Sequence, residues 1–166
     1  MAPQLRGALF TAERGGRWSR GCAAAAELVA SAAPGWPQFR GPRRDGISDE
    51  RGLLGAWPEG GPRLLWKAEG LGKGFSSPVI AGGRLFITGD FGEEVRVLAF
   101  DLDGKPRWSV RNGDAWLNQY QGARSSVAVR DGRVYHQNAH GRVVCLDAAT
   151  GAEQWSVELL KRYGGE

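Results

Sequence analysis

Two histidines, His136 and His140, lie four residues apart, a spacing that pairs metal ligands when both sit on one helical face. Val134-Tyr135-His136-Gln137 alternates as a strand does, and His140 falls in the turn after it. That turns His140 toward solvent, and no Glu lies between the pair, so strand-and-turn is the better reading than zinc. Gly70-Leu71-Gly72-Lys73-Gly74 has the look of a phosphate loop. However, Lys73 is followed by Gly, and no helix follows to offer its N-terminus to an anion. Asp101-Leu102-Asp103-Gly104 opens like a calcium loop, yet Lys105 and Pro106 stand where oxygen ligands are needed. Cys22 and Cys145 have no metal spacing and are not expected to pair, and Cys145 reads as a small buried apolar residue. The pairs Ser76-Ser77 and Ser125-Ser126 recur at matching places, which argues for structure over nucleophilic catalysis. No catalytic residue, cofactor ligand or metal ligand is assigned.

The best functional candidate is the segment Asn112 to Arg124, a predicted loop holding Trp116, Asn118, Gln119, Tyr120 and Gln121. Loops on a rigid scaffold commonly carry binding, and aromatics beside amides suit recognition of a peptide, a glycan or a partner loop. Trp116, Asn118, Tyr120 and Gln121 are therefore the candidate partner-binding residues. The competing reading is that Trp116 and Tyr120 plug the rim between two repeats.

The elements that position this loop come from an internal repeat. Ser76-Ser77-Pro78-Val79-Ile80-Ala81-Gly82-Gly83-Arg84-Leu85-Phe86 returns as Ser125-Ser126-Val127-Ala128-Val129-Arg130-Asp131-Gly132-Arg133-Val134-Tyr135. Each copy runs on to an Asp, a Gly and a Trp, at Asp101-Gly104-Trp108 and Asp147-Gly151-Trp155. A period just under ~50 residues is the mark of a repeat architecture. Gly82-Gly83 and Asp131-Gly132 between apolar runs predict two-residue hairpins of type I′. Further reversals near Asp90-Phe91-Gly92 and Ala139-His140-Gly141 give four antiparallel strands per repeat. The closing strands are expected over Lys105 to Arg111 and Ala152 to Val157, each with one Trp. A single four-stranded sheet cannot bury both of its faces, so sheets must stack on their neighbours. Trp66, Trp108 and Trp155 are the expected docking side chains, with Asp147 and Gly151 shaping the turn that receives one. Trp66 reads as the outer strand of a preceding unit.

The chain has 166 residues, net charge +4 and 26 glycines, which suits a turn-rich all-β protein. Much of the positive charge lies near the start, at Arg6, Arg14, Arg17 and Arg20. Arg40, Arg43 and Arg44 cluster beside Asp45 in a Gly/Pro loop, which reads as a solvated loop rather than a nucleic-acid footprint. No run approaches the ~18 apolar residues of a membrane helix. Residues 1–35 are Ala- and Arg-rich and read as a leader. Arg17 and Arg20, an apolar stretch from Cys22, and Ala30-Ser31-Ala32 follow the order of a secretory signal, although Glu27 interrupts the apolar run. Residues 36–62 form a Gly/Pro-rich lead-in loop, and residues 63–166 hold the repeats, with unit one over about 76–111 and unit two over about 125–158.

Cys145-Leu146-Asp147-Ala148-Ala149-Thr150-Gly151-Ala152-Glu153-Gln154-Trp155 resembles the blade ending Ala-x-Asp-x-x-Thr-Gly-x-x-x-Trp of quinoprotein-type (PQQ-like) β-propellers, with Cys in place of the first Ala. Ala99-Phe100-Asp101 to Trp108 fits with one residue deleted and no Thr. Trp36-Pro37-Gln38-Phe39-Arg40-Gly41-Pro42 with Asp45-Gly46 resembles the opening of secreted proteins that carry such propellers. The resemblance runs from about Trp36 to Gly165. It implies an all-β propeller of four-stranded antiparallel blades, here incomplete: two blades plus one outer strand. Propellers need 4–8 blades, so the chain reads as a fragment, with ring closure by oligomerisation as the alternative. Exposed terminal strands would then invite edge association.

The family resemblance further implies a non-catalytic scaffold, exported to the periplasm or beyond, that binds a protein or small ligand on its rim without a cofactor. A cytoplasmic location is the alternative. The rival function is a fragment of a pyrroloquinoline quinone-dependent alcohol or sugar dehydrogenase. Such enzymes hold the quinone and calcium on the propeller axis, several with an adjacent cysteine pair that this sequence lacks.

Overall fold

The computed structural model describes residues 35–165. The leader reading, with Cys22, lies outside the described residues. Eight strands form two four-stranded antiparallel sheets. The first contains β1 (Val79–Ala81), β2 (Arg84–Phe91), β3 (Glu94–Asp101) and β4 (Pro106–Asp114) in that order. The second contains β5 (Ala128–Arg130), β6 (Arg133–Gln137), β7 (Arg142–Asp147) and β8 (Glu153–Glu158). The two sheets are blades of the expected all-β kind, each a meander in chain order.

The first hairpin of each blade has the expected chemistry. Gly82 and Gly83 take φ of 56° and 72°, and Asp131 and Gly132 take 50° and 72°. Positive φ at both central residues is what a type I′ turn requires, and it carries the right-handed twist of the flanking strands through the reversal. The second reversal of the first blade lies one residue later than the sequence suggests, because Asp90 and Phe91 still pair with Val95 and Glu94. The β4 strand likewise runs on to Asp114, so Asn112 belongs to a strand and not to the rim loop. Each closing strand also carries a register shift beside its Trp, between Ala99 and Phe100 in one blade and between Cys145 and Leu146 in the other. Such a bulge sharpens the local twist and re-aims the next side chain.

The core is the seam between the blades. Val79, Phe86, Val97 and Ala99 of the first sheet meet Val127, Val134, Val144, Leu146 and Ala148 of the second. Trp108, Val110 and Val129 close over this cluster, and Phe86 lies 5.7 Å from Trp108, ring to ring. The lead-in loop contributes to the scaffold. Trp36 and Ile80 exchange backbone hydrogen bonds at 2.7 and 3.0 Å, and the carbonyl of Pro37 accepts from Val129 at 2.8 Å. This strap covers the inner edge of both blades, where unpaired backbone groups would otherwise be exposed. Arg40, Arg43 and Arg44 are exposed as read, with Arg43 bonded to Asp45 and Asp49. One element was not expected: a short helix α1 (Leu159–Tyr163) follows β8 and ends at Gly164, whose φ is 66°.

Candidate functional site

The rim bearing the β2–β3, β4–β5 and β6–β7 connections holds a cleft of about 520 Å³, a size that takes a small ligand or a few side chains. It is lined by Val95, Ala115 and Ala123, by Trp116 and Arg124 of the β4–β5 connection, by His136 and Asn138, and by Asp90.

The loop that makes one wall is anchored at both ends. Ala115 donates its N–H to the Glu93 carbonyl at 2.8 Å, and Ala123 donates to Lys73 at 3.1 Å. The glycine-rich stretch that resembled a phosphate loop is a connector laid between strand and loop. Lys73 and Asp90 exchange backbone bonds, and Phe75 donates to Ala123 at 2.7 Å. Between the anchors the four candidate side chains differ in role. Trp116 is half-buried, its indole N–H on the Gln119 carbonyl at 3.0 Å and its ring 5.8 Å from the imidazole of His140. Gln121 donates to Leu117 at 2.7 Å and accepts from Lys73 at 3.2 Å. Asn118 is exposed. Tyr120 is 81% exposed at a positive φ of 58°, with the Arg124 guanidinium 6.0 Å from its ring centre. Trp116 and Gln121 thus hold the loop together, and Tyr120, with Leu117, faces outward.

Beneath the cleft lies a polar network that sequence reading missed. The side-chain amide of Asn112, fully buried on β4, donates to His136 Nδ1 at 2.8 Å and to the His136 carbonyl at 3.2 Å. Arg142 Nε donates to Asn112 Oδ1 at 3.1 Å, and Asn138 Nδ2 donates to the Asn112 carbonyl at 2.9 Å. Arg142 also binds Glu153 at 2.9 Å and Glu158 at 3.1 Å. His136 bonds the Ser125 carbonyl as well, and burial pushes its pKa down to about 4. A neutral imidazole accepting at Nδ1 must carry its proton on Nε2, so the network fixes the tautomer. Asp90 is also buried, which raises its carboxyl above the usual range against the pull of the Gly122 N–H, Lys73 and Arg124. Only the alternation of β6 hinted that His136 faces inward, and nothing in the sequence paired it with Asn112.

The docking residues form a repeated contact. Trp108 Nε1 donates to the Ala148 carbonyl at 3.2 Å, with its ring against Gly151. Trp66 Nε1 donates to the Leu102 carbonyl at 2.8 Å, with its ring against Gly104. A Cβ added at Gly151 would fall 2.8 Å from the indole and one at Gly104 2.6 Å, so only glycine admits the ring. Asp147 Oδ1 shapes its turn by accepting from the Ala149 and Thr150 backbone and from the Thr150 hydroxyl, which together hold its carboxyl below the usual range. Trp155 is 44% exposed and leans on Tyr135, 6.1 Å away ring to ring. Trp66 lies in a stretch with no assigned strand.

The chain belongs to the family described as outer membrane protein assembly factor BamB, whose model matches residues 15–166. No curated protein matches it. Among solved structures, a europium-containing methanol dehydrogenase is similar at 20% identity and a TM-score of 0.43, over 58% of this chain and 18% of that one. The chain therefore spans less than a fifth of that enzyme's length.

Proposed function

We propose that this chain is part of a non-catalytic propeller scaffold that binds a protein partner through the rim loop 115–124 and the cleft behind it. The observation that carries the reading is the division of labour within that loop. Trp116 and Gln121 brace the loop internally and against His140 and Lys73, which leaves Leu117 and Tyr120 presented at 51% and 81% exposure beside a ready-made cleft. A fixed backbone with outward apolar and aromatic side chains binds at low ordering cost. A family named for outer-membrane protein assembly supports both a protein partner and work on the periplasmic or extracellular side. The order of residues in the leader agrees with export.

The rival dehydrogenase reading needs calcium and quinone ligands. Among the described residues no three acidic, imidazole or thiol groups converge to hold a metal, so these residues do not fit the calcium of that cofactor site.

The test is site-specific photocrosslinking in the producing cell. A crosslinker at Tyr120 should capture one discrete protein, and one at Arg130, in the hairpin turn, should not. Equal capture from both positions, or none from Tyr120, would sink the proposal. Saturable quinone absorbance on titration with calcium would favour the dehydrogenase instead.

A further inference from the structure

The cleft behind the rim loop holds one buried charge without a counter-ion. Its other polar groups are committed. His136 bonds Asn112 and the Ser125 carbonyl. Asn138 accepts from the His140 and Arg142 N–H groups and donates to the Asn112 carbonyl. Asp114 is paired with Arg111 at 2.6 Å. Asp90 differs. It lines the cleft at 9% exposure and accepts the N–H of Gly122. The two cations near it are engaged elsewhere. Lys73 Nζ donates to Gln121 Oε1 at 3.2 Å, and the Arg124 guanidinium lies 6.0 Å from the Tyr120 ring centre. A carboxylate has about four lone-pair sites, and one N–H leaves most of them unmet. A charge so shielded from water costs free energy until a cation pairs with it, and the raised carboxyl of Asp90 expresses that cost.

We propose that this cleft receives a basic side chain, arginine or lysine, of the partner protein, with its cationic head on the Asp90 carboxylate. This rests on the rim loop being the partner's docking surface, and it names the group that enters behind that loop. The lining suits such a side chain along its length. Val95, Ala115 and Ala123 are buried apolar residues of the cleft, and they offer hydrocarbon to a methylene stem. Trp116 lines the same cleft, and an indole ring attracts a cation. Leu117 and Tyr120, exposed on the same connection, then contact the residues on either side of the one that enters.

Other occupants match less well. A calcium ion takes roughly six to eight oxygen ligands, and among the described residues no three acidic, imidazole or thiol groups converge around Asp90. An anion would meet a like charge that burial has already made costly. A neutral apolar group would fill the space and leave the carboxylate without water or partner. A guanidinium or an ammonium supplies both the charge and the donors, and it pairs with Asp90 where apolar neighbours limit screening by salt.

Titration of the full chain with acetyl-arginine amide, followed by backbone amide NMR shifts, tests the cleft without the partner. The N–H signals of Ala115, Gly122 and Ala123 should move saturably, with a Kd on the order of 1 mM. Acetyl-citrulline amide, the neutral isostere, should bind at least about tenfold more weakly, a comparison that needs no substitution. Asp90→Asn, which keeps an acceptor for the Gly122 N–H, should weaken acetyl-arginine amide by a similar factor. Equal binding of the two amides, the absence of a saturable shift, or binding that survives Asp90→Asn would overturn the cation site. The partner is read by the crosslinker at Tyr120. Adding Asp90→Asn should cut capture at least about tenfold. Undiminished capture would overturn the proposal and leave the rim loop as the docking surface. Saturable acetyl-arginine amide with no capture from Tyr120 would do the reverse: the protein partner would fall, and the cation site would stand for a free basic solute.

Discussion

The side-chain amide of Asn112, on the last strand of one blade, donates to Nδ1 of His136, on the second strand of the next, at 2.8 Å. Both residues are shielded from water, His136 at 3% exposure, so the contact joins the blades through a neutral imidazole. The arrangement makes no room for a second ring proton. A proton on Nδ1 would face the Asn112 amide hydrogens, and turning that amide would set its NH₂ against Arg142 Nε.

Acid should therefore weaken the fold in a definite window. His136 titrates near 4 in the folded chain and near 6.5 when unfolded. A depressed histidine contributes nothing to the pH dependence above 6.5. As pH falls from 6.5 to 4, the unfolded chain takes up a proton that the folded chain refuses. Stability should then drop by about 1.4 kcal/mol per pH unit, or roughly 3 kcal/mol across the window, and level off below it. Asp90 acts in the opposite sense, because acid relieves a carboxylate whose pKa is already raised. The clean measurement is the difference between wild type and His136→Gln in urea melts from pH 4 to 7. The variant should lose most of the slope, and an unchanged slope would contradict the neutral seam.

Removing the other partner should be costly at any pH. Asn112→Ala leaves His136 Nδ1 and Arg142 Nε inside the seam without their bonds, and an unmet buried group costs more than a bond contributes. A loss of about 2–4 kcal/mol is expected in chemical denaturation. Ser109→Ala, at an exposed position of the same strand, should stay within about 0.5 kcal/mol.

The two kinds of turn glycine should behave differently on substitution. Gly132 and Gly151 share a positive φ, at 72° and 77°. A Cβ at Gly132 would meet nothing within 4 Å, whereas one at Gly151 would meet the indole of Trp108 at 2.8 Å. Gly132→Ala should therefore carry backbone strain alone, about 1–2 kcal/mol. Gly151→Ala adds displacement of the ring, so it should cost visibly more and red-shift the tryptophan fluorescence. Equal losses in the two variants would show that the indole does not hold the seam.

How far the sequence could be read follows from what each feature depends on. The hairpins, the strand count and the receiving glycines depend on neighbours in the chain, and turn residues with an alternating pattern report those directly. Asn112 is the counter-example. It sits after a run that reads as strand and before Gly113-Asp114, a pair that looks like loop, so it reads as part of the rim segment. Its strand conformation is held by contacts with His136, Asn138 and Arg142, all more than twenty residues away, which no local pattern encodes. The same holds for the bulges beside Trp108 and Trp155, which reflect the fit of a ring to another sheet. For the rim loop, composition marks the segment as a candidate, but it cannot separate the side chains that brace the loop from those that face outward.

That separation makes the last prediction. Trp116 packs on His140 and closes the loop through Gln119, and the His140 ring in turn bonds the Ala115 carbonyl at 3.2 Å. Trp116→Ala removes the ring from this stack and should cost about 1–3 kcal/mol of stability, seen as a lowered melting temperature. Tyr120 is mostly in water and touches chiefly Arg124, so Tyr120→Ala should leave the melting temperature within the error of measurement. Partner capture should respond the other way round. Tyr120→Ala should reduce crosslinking from a probe placed at Leu117 while the fold is intact, and that loss is attributable to recognition alone. If Tyr120→Ala leaves capture unchanged and only Trp116→Ala reduces it, in step with unfolding, the loop is a plug between blades and the binding surface lies elsewhere.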